Sequence, residues 1–361
     1  MRTGRREFIG GLSAAAVCGC RTRMSGDDYS VTLLGDTHFD GATPETYHAG
    51  WVPRDARDRG GRAREFKRNA EMWQSRLPSL IASAAAVRRD DTAFVLHVGD
   101  LIQGDTGSPE AQLRMLRDAE RACRKGMDDL PFHVVCGNHD LRNGGAAGFD
   151  RYQKPSTYLV SRGPDAFVFI DFMRPDPDRI ERLLAEADGA RHTFVVSHGL
   201  LSPHDGWGYY WFLFGKKKDT EIRRHFRHEF AKRNVIALGG HIHRTALMDW
   251  RLKEGRITQF VANSVWTNPD QGGGKVEYDD PVQFGSYAKA HPAPMGEEHD
   301  GCRQNRTQAE ARTLFDEYRE GLERYRIVKA AGHCLLHVGD TVSVDFYLGE
   351  SRAPSETFAL R

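Results

Sequence analysis

A chain of 361 residues, 39% hydrophobic and 28% charged, has enough apolar material for a substantial core, as one large domain or two ordinary ones. No apolar run approaches the roughly 20 residues that span a bilayer, so none reads as a membrane helix. Lys and Arg number 51 against 50 Asp and Glu, and such a balance gives no electrostatic reason to expect a nucleic-acid partner.

The first twenty residues, MRTGRREFIGGLSAAAVCGC, have an export-signal layout: basic residues, a short Gly/Ala-rich apolar stretch, then small residues. Arg5-Arg6-Glu7-Phe8-Ile9 resembles the twin-arginine address for proteins exported already folded, although Gly4 and Gly10 stand where Ser/Thr and Lys are usual. Val17-Cys18-Gly19-Cys20 resembles a lipoprotein cleavage box with Cys20 as the lipidated residue. A plain cleaved signal or an ordinary helix is the alternative. The expectation is an export segment and short linker over 1–26. One domain then follows over 27–361, periplasmic or at the cell surface, with membrane attachment through the N-terminal lipid. Without residues 1–20, Cys123, Cys136, Cys302 and Cys334 remain. A disulfide is open to them in an oxidising compartment, and Cys123 and Cys136 read as buried free thiols.

Along the chain a short apolar run repeatedly meets Gly or Ser and then a polar cluster. Val31–Leu34 leads into Gly35-Asp36-Thr37-His38. A helix-like stretch over 65–87 precedes Phe94–Val98, which leads into Gly99-Asp100. After a second helical stretch over 109–126, Phe132–Cys136 leads into Gly137-Asn138-His139-Asp140. Thr193–Val196 follows a helix over 176–187 and ends in Ser197-His198. Val235–Leu238 follows a helix over 219–233 and ends in Gly239-Gly240-His241-Ile242-His243. Residues 267–306 are Gly- and Pro-rich with little period and read as a loop-rich insertion. Thr307 opens a capping box with Glu310, and Leu314, Tyr318, Leu322 and Tyr325 predict one helical face that Gly332 would stop. The pentapeptide LHVGD occurs twice, at 96–100 and 336–340. Val342, Val344, Phe346 and Leu348 alternate after the second copy, which predicts a two-residue type II′ turn at Gly339-Asp340.

Near-continuous apolar runs alternating with helices indicate strands covered on both faces, the α/β pattern. Ligands in such sheets gather beyond the carboxyl ends of the strands. Asp36, His38, Asp100, Asn138, His198, His241 and His243 are oxygen and imidazole donors placed there, a mixture suited to first-row transition metals. Taken singly, each could be a turn former or a satisfied core residue. The ordered set Asp-x-His, Gly-Asp, Gly-Asn-His-Asp, His, Gly-His-x-His resembles the calcineurin-like metallophosphoesterase family.

That resemblance implies two mixed β-sheets packed as a sandwich flanked by helices. It also implies a dinuclear centre of Mn, Fe or Zn ions. Asp36, His38 and His243 would hold one ion, Asn138, His198 and His241 the other, with Asp100 bridging. A metal-bridging hydroxide would hydrolyse a small phosphate mono- or diester, with His139 assisting the leaving group and Asp140 holding the other ring nitrogen of His139. Purple acid phosphatases carry a tyrosine three residues after the bridging aspartate; Gln103 stands there, so no iron–phenolate pair is expected. For the substrate pocket, Trp207, Tyr209, Tyr210, Trp211 and Phe212 could stack on a base or sugar, with His48 and Trp51 as further contacts. The alternative is that these aromatic residues pack a loop. A non-catalytic metal- or phosphate-binding protein is the competing function, and a nuclease a weaker one, since backbone contacts need Lys and Arg.

Overall fold

The computed structural model describes residues 27–41, 45–267, 272–291 and 307–361; the export segment with Cys20, and Cys302, lie outside the described residues. In chain order the strands are β1 (Tyr29–Leu34), β2 (Thr92–His97), β3 (Phe132–Val134), β4 (Tyr158–Arg162), β5 (Asp165–Ile170), β6 (Thr193–Ser197) and β7 (Ile236–Gly239), then β8 (Thr245–Arg251), β9 (Arg256–Val261), β10 (Lys275–Tyr278), β11 (Leu322–Lys329), β12 (Gly332–Val338), β13 (Val342–Leu348) and β14 (Glu356–Ala359). Among the described residues they form two mixed sheets, ordered β14-β13-β12-β1-β2-β3 and β10-β11-β8-β9-β7-β6-β5-β4. In the first, β1, β2 and β3 run parallel. In the second, β5, β6, β7 and β9 do.

Strands β1, β2, β6 and β7 are buried almost throughout, as their unbroken apolar runs predict. Val31, Leu33, Phe94 and Leu96 of the first sheet face Phe167, Phe194, Ile236 and Phe260 of the second across a common core. Each such side chain contributes about 1.5–3 kcal/mol by leaving water. Helices Ala56–Ser75, Leu77–Val87 and Pro109–Arg124 cover the outer face of the first sheet. Pro177–Glu186, Thr220–Lys232 and Gln308–Arg319 cover that of the second. The result is the expected four-layer α/β sandwich. Cys123, Cys136 and Cys334 are buried free thiols.

Helix starts follow their capping residues. Ser108 accepts from Ala111 N, Asp176 from Arg179 N, and Thr307 forms its capping box with Glu310, each worth about 1 kcal/mol. Several expectations need correction. The single helix over 65–87 is two, broken at Arg76 just before Pro78. The last helix stops at Arg319, because Gly321 takes φ 75°. Leu322 and Tyr325 lie instead on β11, paired with β8, and Gly332 opens β12. Within 267–306, the described residues include edge strand β10 and a short helix, Ser286–Ala290. Val338 pairs with Val342, so Gly339-Asp340-Thr341 is a three-residue turn. Gly339 does not take the positive φ that a type II′ turn needs.

Candidate metal centre

Parallel strands of both sheets deliver their turns to one place. Asp36 and His38 follow β1, Asp100 follows β2 and Asn138 follows β3; His198 follows β6, and His241 and His243 follow β7. Donor atoms of Asp36, His38, Asp100 and His243 all lie within 4.8 Å of one another, as do those of Asp100, His198 and His241. Asp100 belongs to both groups. Asn138 joins the second, its Oδ1 3.0 Å from His241 Nδ1. All seven predicted donors are therefore brought together, four from one sheet and three from the other.

The backbone bends sharply to achieve this. Asp36, His38, Asp100, His241 and His243 have φ of 53°, 43°, 49°, 74° and 49°, a left-handed region that costs a non-glycine residue on the order of 1–3 kcal/mol. These turns fold the side chains back over the strand ends. Two glycines make room for them. A Cβ on Gly137 would lie 2.2 Å from Asp100 Oδ1, and one on Gly240 would lie 2.7 Å from Asp36 Oδ2.

The donor chemistry fits a cation. His198 Nδ1 donates to Val98 O at 2.8 Å, which leaves Nε2 without a hydrogen-bond partner and 3.2 Å from Asp100 Oδ2. Two electron pairs facing each other at that distance need a proton or a metal ion between them. Burial alone would lower the His198 pKa; Asp100 reverses this and pushes it up to about 9, so in the bare chain a proton takes that place. Burial would raise the Asp100 carboxyl, but His198, His139 and His38 hold it well below the usual range. Burial drives His38 down to about 3 and His241 and His243 well below 6.5. Neutral imidazoles with free electron pairs are the form that binds metal. His38 Nε2 and His243 Nε2 meet at 3.0 Å, another pair of ring nitrogens converging on one point.

His139 borders this cluster. Its backbone N–H donates to Asp100 Oδ1 at 2.8 Å and its Nδ1 lies 3.0 Å from Gln103 O; Nε2 is 4.0 Å from Asp100 Oδ2. The expected Asp140 contact to that ring is thus replaced by the Gln103 carbonyl. Asp140 is spent on the backbone, accepting from Gly137 N and Ile102 N at 2.8 and 3.1 Å, and so ties the His139 turn to the Asp100 turn. The Gln103 side chain bonds Asn69 and Glu65.

A cavity of about 250 Å³ opens above these residues, lined among others by Asp100, Asn138, His139, His241 and His243. Of the proposed substrate contacts Trp207, with 76% of its surface exposed, and Trp211 line it. Tyr209 and Tyr210 are buried in the core beneath the second sheet's helices, Tyr209 against Phe315. His48 is buried too, stacked on Phe66 and bonded to Asp40 and Asp105 O. The aromatic run is therefore mostly packing, because a ring that can stack on a ligand can equally fill a core. Arg142, His204 and Arg244 also line the cavity and were not singled out. For two of them a signal existed: Arg142 lies three residues beyond His139, and Arg244 is next to His243.

Residues 29–245 match the family model described as calcineurin-like phosphoesterase. No curated protein matches the chain. Among solved structures it is similar to one described as the structure of PhoD, with 9% identity, TM-score 0.49, and coverage of 92% of this chain and 68% of that one. A dimetal phosphatase from Danio rerio is similar at 11% identity, TM-score 0.41, with 92% of this chain and 99% of that chain covered. The family match spans more than half of the sequence and contains all five donor blocks: the chain belongs to the calcineurin-like phosphoesterase family.

Proposed function

We propose that the protein hydrolyses the ester bond of a small phosphorylated molecule, a phosphomonoester or small phosphodiester, at this centre. The observation that carries the reading is Asp100, one carboxylate shared by two groups of donors. On this reading Asp36, His38 and His243 hold one transition-metal ion, and Asn138, His198 and His241 a second, with Asp100 between them. Two such ions, of Mn, Fe or Zn, would supply Lewis-acid activation of water and of the ester at neutral pH.

The chain's own residues do the rest. Asn138 contributes a neutral oxygen, which keeps the centre more positive toward an anionic ester than a carboxylate would. Asp100 is held in place by the His139 N–H. The His139 ring donates Nδ1–H to Gln103 O and turns Nε2 toward the site; with a second proton on Nε2 it would donate to the leaving oxygen. Trp207 at the mouth offers an apolar face to the organic part of the ester. Export through the N-terminal segment, with lipidation at Cys20, belongs to the same proposal. If Cys20→Ala leaves membrane association unchanged, that part is wrong.

The test is a panel of aryl phosphate mono- and diesters with chelated, then Mn-, Zn- or Fe-reconstituted protein. Two bound metals and hydrolysis that disappears on chelation are expected. Two bound metals with no hydrolysis of any ester would point instead to a non-catalytic binding protein.

A further inference from the structure

The cavity carries a cation that the donor set does not explain. Arg142 lines it beside Asp100, Asn138 and His139. The loop is bent to place it there: Arg142 leaves the helical turn at φ −60°, ψ 144°, and Asn143 takes φ 47°, ψ 52°, a left-handed conformation that Asn tolerates better than most residues. Asn143 Nδ2 donates to Asp105 and fixes the bend.

The ion pairs of Arg142 use a single nitrogen. Nη1 lies 3.3 Å from Glu65 Oε2 and 3.7 Å from Asp105 Oδ2. A guanidinium brings five N–H donors in a rigid fork. Those on Nε and Nη2 bond no described residue, and the side chain is 14% exposed. Both carboxylates are also shared. Glu65 accepts from Arg62 and Gln103 at 2.8 and 2.9 Å, and Asp105 lies 3.4 Å from Arg62 Nε. The neighbouring Arg68 bonds Asn69 Oδ1 at 3.3 Å and makes no ion pair among the described residues, yet its charge reaches His38 and His243. Arg62 also lies 3.7 Å from Asp58, so Arg62, Arg68 and Arg142 meet three carboxylates on this wall. Arg244, on the loop after β7, and Lys329, at the end of β11, share Glu277, two cations to one carboxylate.

A phosphomonoester near neutral pH carries about two negative charges and a diester one. A guanidinium with unused donors in a fork favours the more highly charged anion. We propose that Arg142 is a specificity-determining residue, donating from Nε and Nη2 to non-bridging oxygens of the substrate phosphate and so selecting monoesters over diesters. The inference rests on the hydrolytic reading above.

The experiment compares kcat/KM for an aryl phosphate monoester and the matching methyl aryl diester on the full metal-reconstituted chain, with the inhibition constant of inorganic phosphate. Wild type is expected to favour the monoester. Arg142→Ala is expected to lower monoester kcat/KM about 10²-fold, to reduce the monoester-to-diester ratio about tenfold and to weaken phosphate inhibition similarly, with both metals retained. Arg142→Lys keeps the charge but not the fork and should recover part of the ratio. A wild-type preference for the diester overturns the proposal, as does a loss equal for both esters with phosphate inhibition unchanged. Should Arg142→Ala not fold, Arg142→Gln keeps an amide donor near Glu65 but loses the charged fork; a fallen ratio with metals retained supports the proposal and an unchanged ratio overturns it. If wild type hydrolyses neither ester, the hydrolytic reading fails first. Calorimetric binding of phosphate to the metal-loaded chain then decides alone: binding weakened in Arg142→Ala and partly restored in Arg142→Lys supports the site, and unchanged binding in Arg142→Ala overturns it.

Discussion

The two copies of Leu-His-Val-Gly-Asp flank the same strand and do opposite things. β2 lies parallel to β1 on one side, and β12 lies antiparallel to it on the other. One copy therefore ends at the edge where the donors gather and the other at the far edge. Asp100 is 2% exposed, with His38, His139 and His198 each within 4.0 Å of its carboxylate. Asp340 stands in a turn with its side chain fully open to solvent, 3.9 Å from Arg191. His97 is buried against Thr37 Oγ1 at 3.0 Å, whereas His337 is a half-exposed partner of Asp345. Identical residues acquire a role from the direction in which their strand runs, since sites form beyond the carboxyl ends of parallel strands.

The strongest way to break this comparison is to neutralise the carboxylate in each copy. Asp100→Asn is expected to lower turnover at least about 10³-fold and to reduce metal content below two per chain. Comparable losses from Asp340→Asn would end the distinction. The glycines come next. A Cβ on Gly99, at φ 93°, would lie 2.7 Å from His198 Cβ, so Gly99→Ala should cost on the order of 1–3 kcal/mol in a denaturant melt. Gly339 meets only an Asp28 carboxylate at 3.0 Å, and Gly339→Ala should stay within about 1 kcal/mol. A matching cost at Gly339 would show that the second turn is as constrained as the first.

The buried histidine sharpens the contrast through pH. Burial lowers His97 from 6.5 to about 3, so the folded chain keeps it neutral where the unfolded chain takes up a proton. Its contribution is thus a loss of stability as pH falls from 6.5 toward 3, at up to about 1.4 kcal/mol per pH unit. His97→Gln should flatten the stability profile in that window; an unchanged slope would mean that the ring is not held neutral. Smallest of all is the effect of Asp340→Asn, expected to leave turnover within about twofold.

The donor set was legible because each member stands at the end of an apolar run, where strand direction leaves few places to point. The α/β class followed from the same runs, and the four-layer sandwich from the family resemblance of the donor set. What local pattern could not settle was decided by distant contacts. Leu322 and Tyr325 continue a helical spacing, but Gly321 interrupts it and β8 offers a strand to pair with. Tyr209 and Tyr210 look like a stacking platform until the helix Gln308–Arg319 closes over them. Asp140 follows His139 directly, yet its oxygens are taken by the backbone of two turns, an arrangement that depends on how β2 and β3 sit side by side. The pocket's arginines had only a positional signal, Arg142 close after His139 and Arg244 next to His243, and their chemistry alone does not set them apart from the chain's many other arginines.

Four candidate ligands come from one sheet and three from the other, so the centre lies on the seam of the sandwich. Neither half holds a complete coordination shell by itself. Docking of the sheets and affinity for the ions are therefore thermodynamically linked: ions that bind only the closed form oppose its opening by the same free energy with which they bind. At a hundred times their dissociation constant, each independent ion would add about 2.7 kcal/mol to that closure. What serves the reaction as a reagent would thus serve the architecture as a clasp, fastened only after some two hundred residues of chain, from Asp36 to His243, have come together.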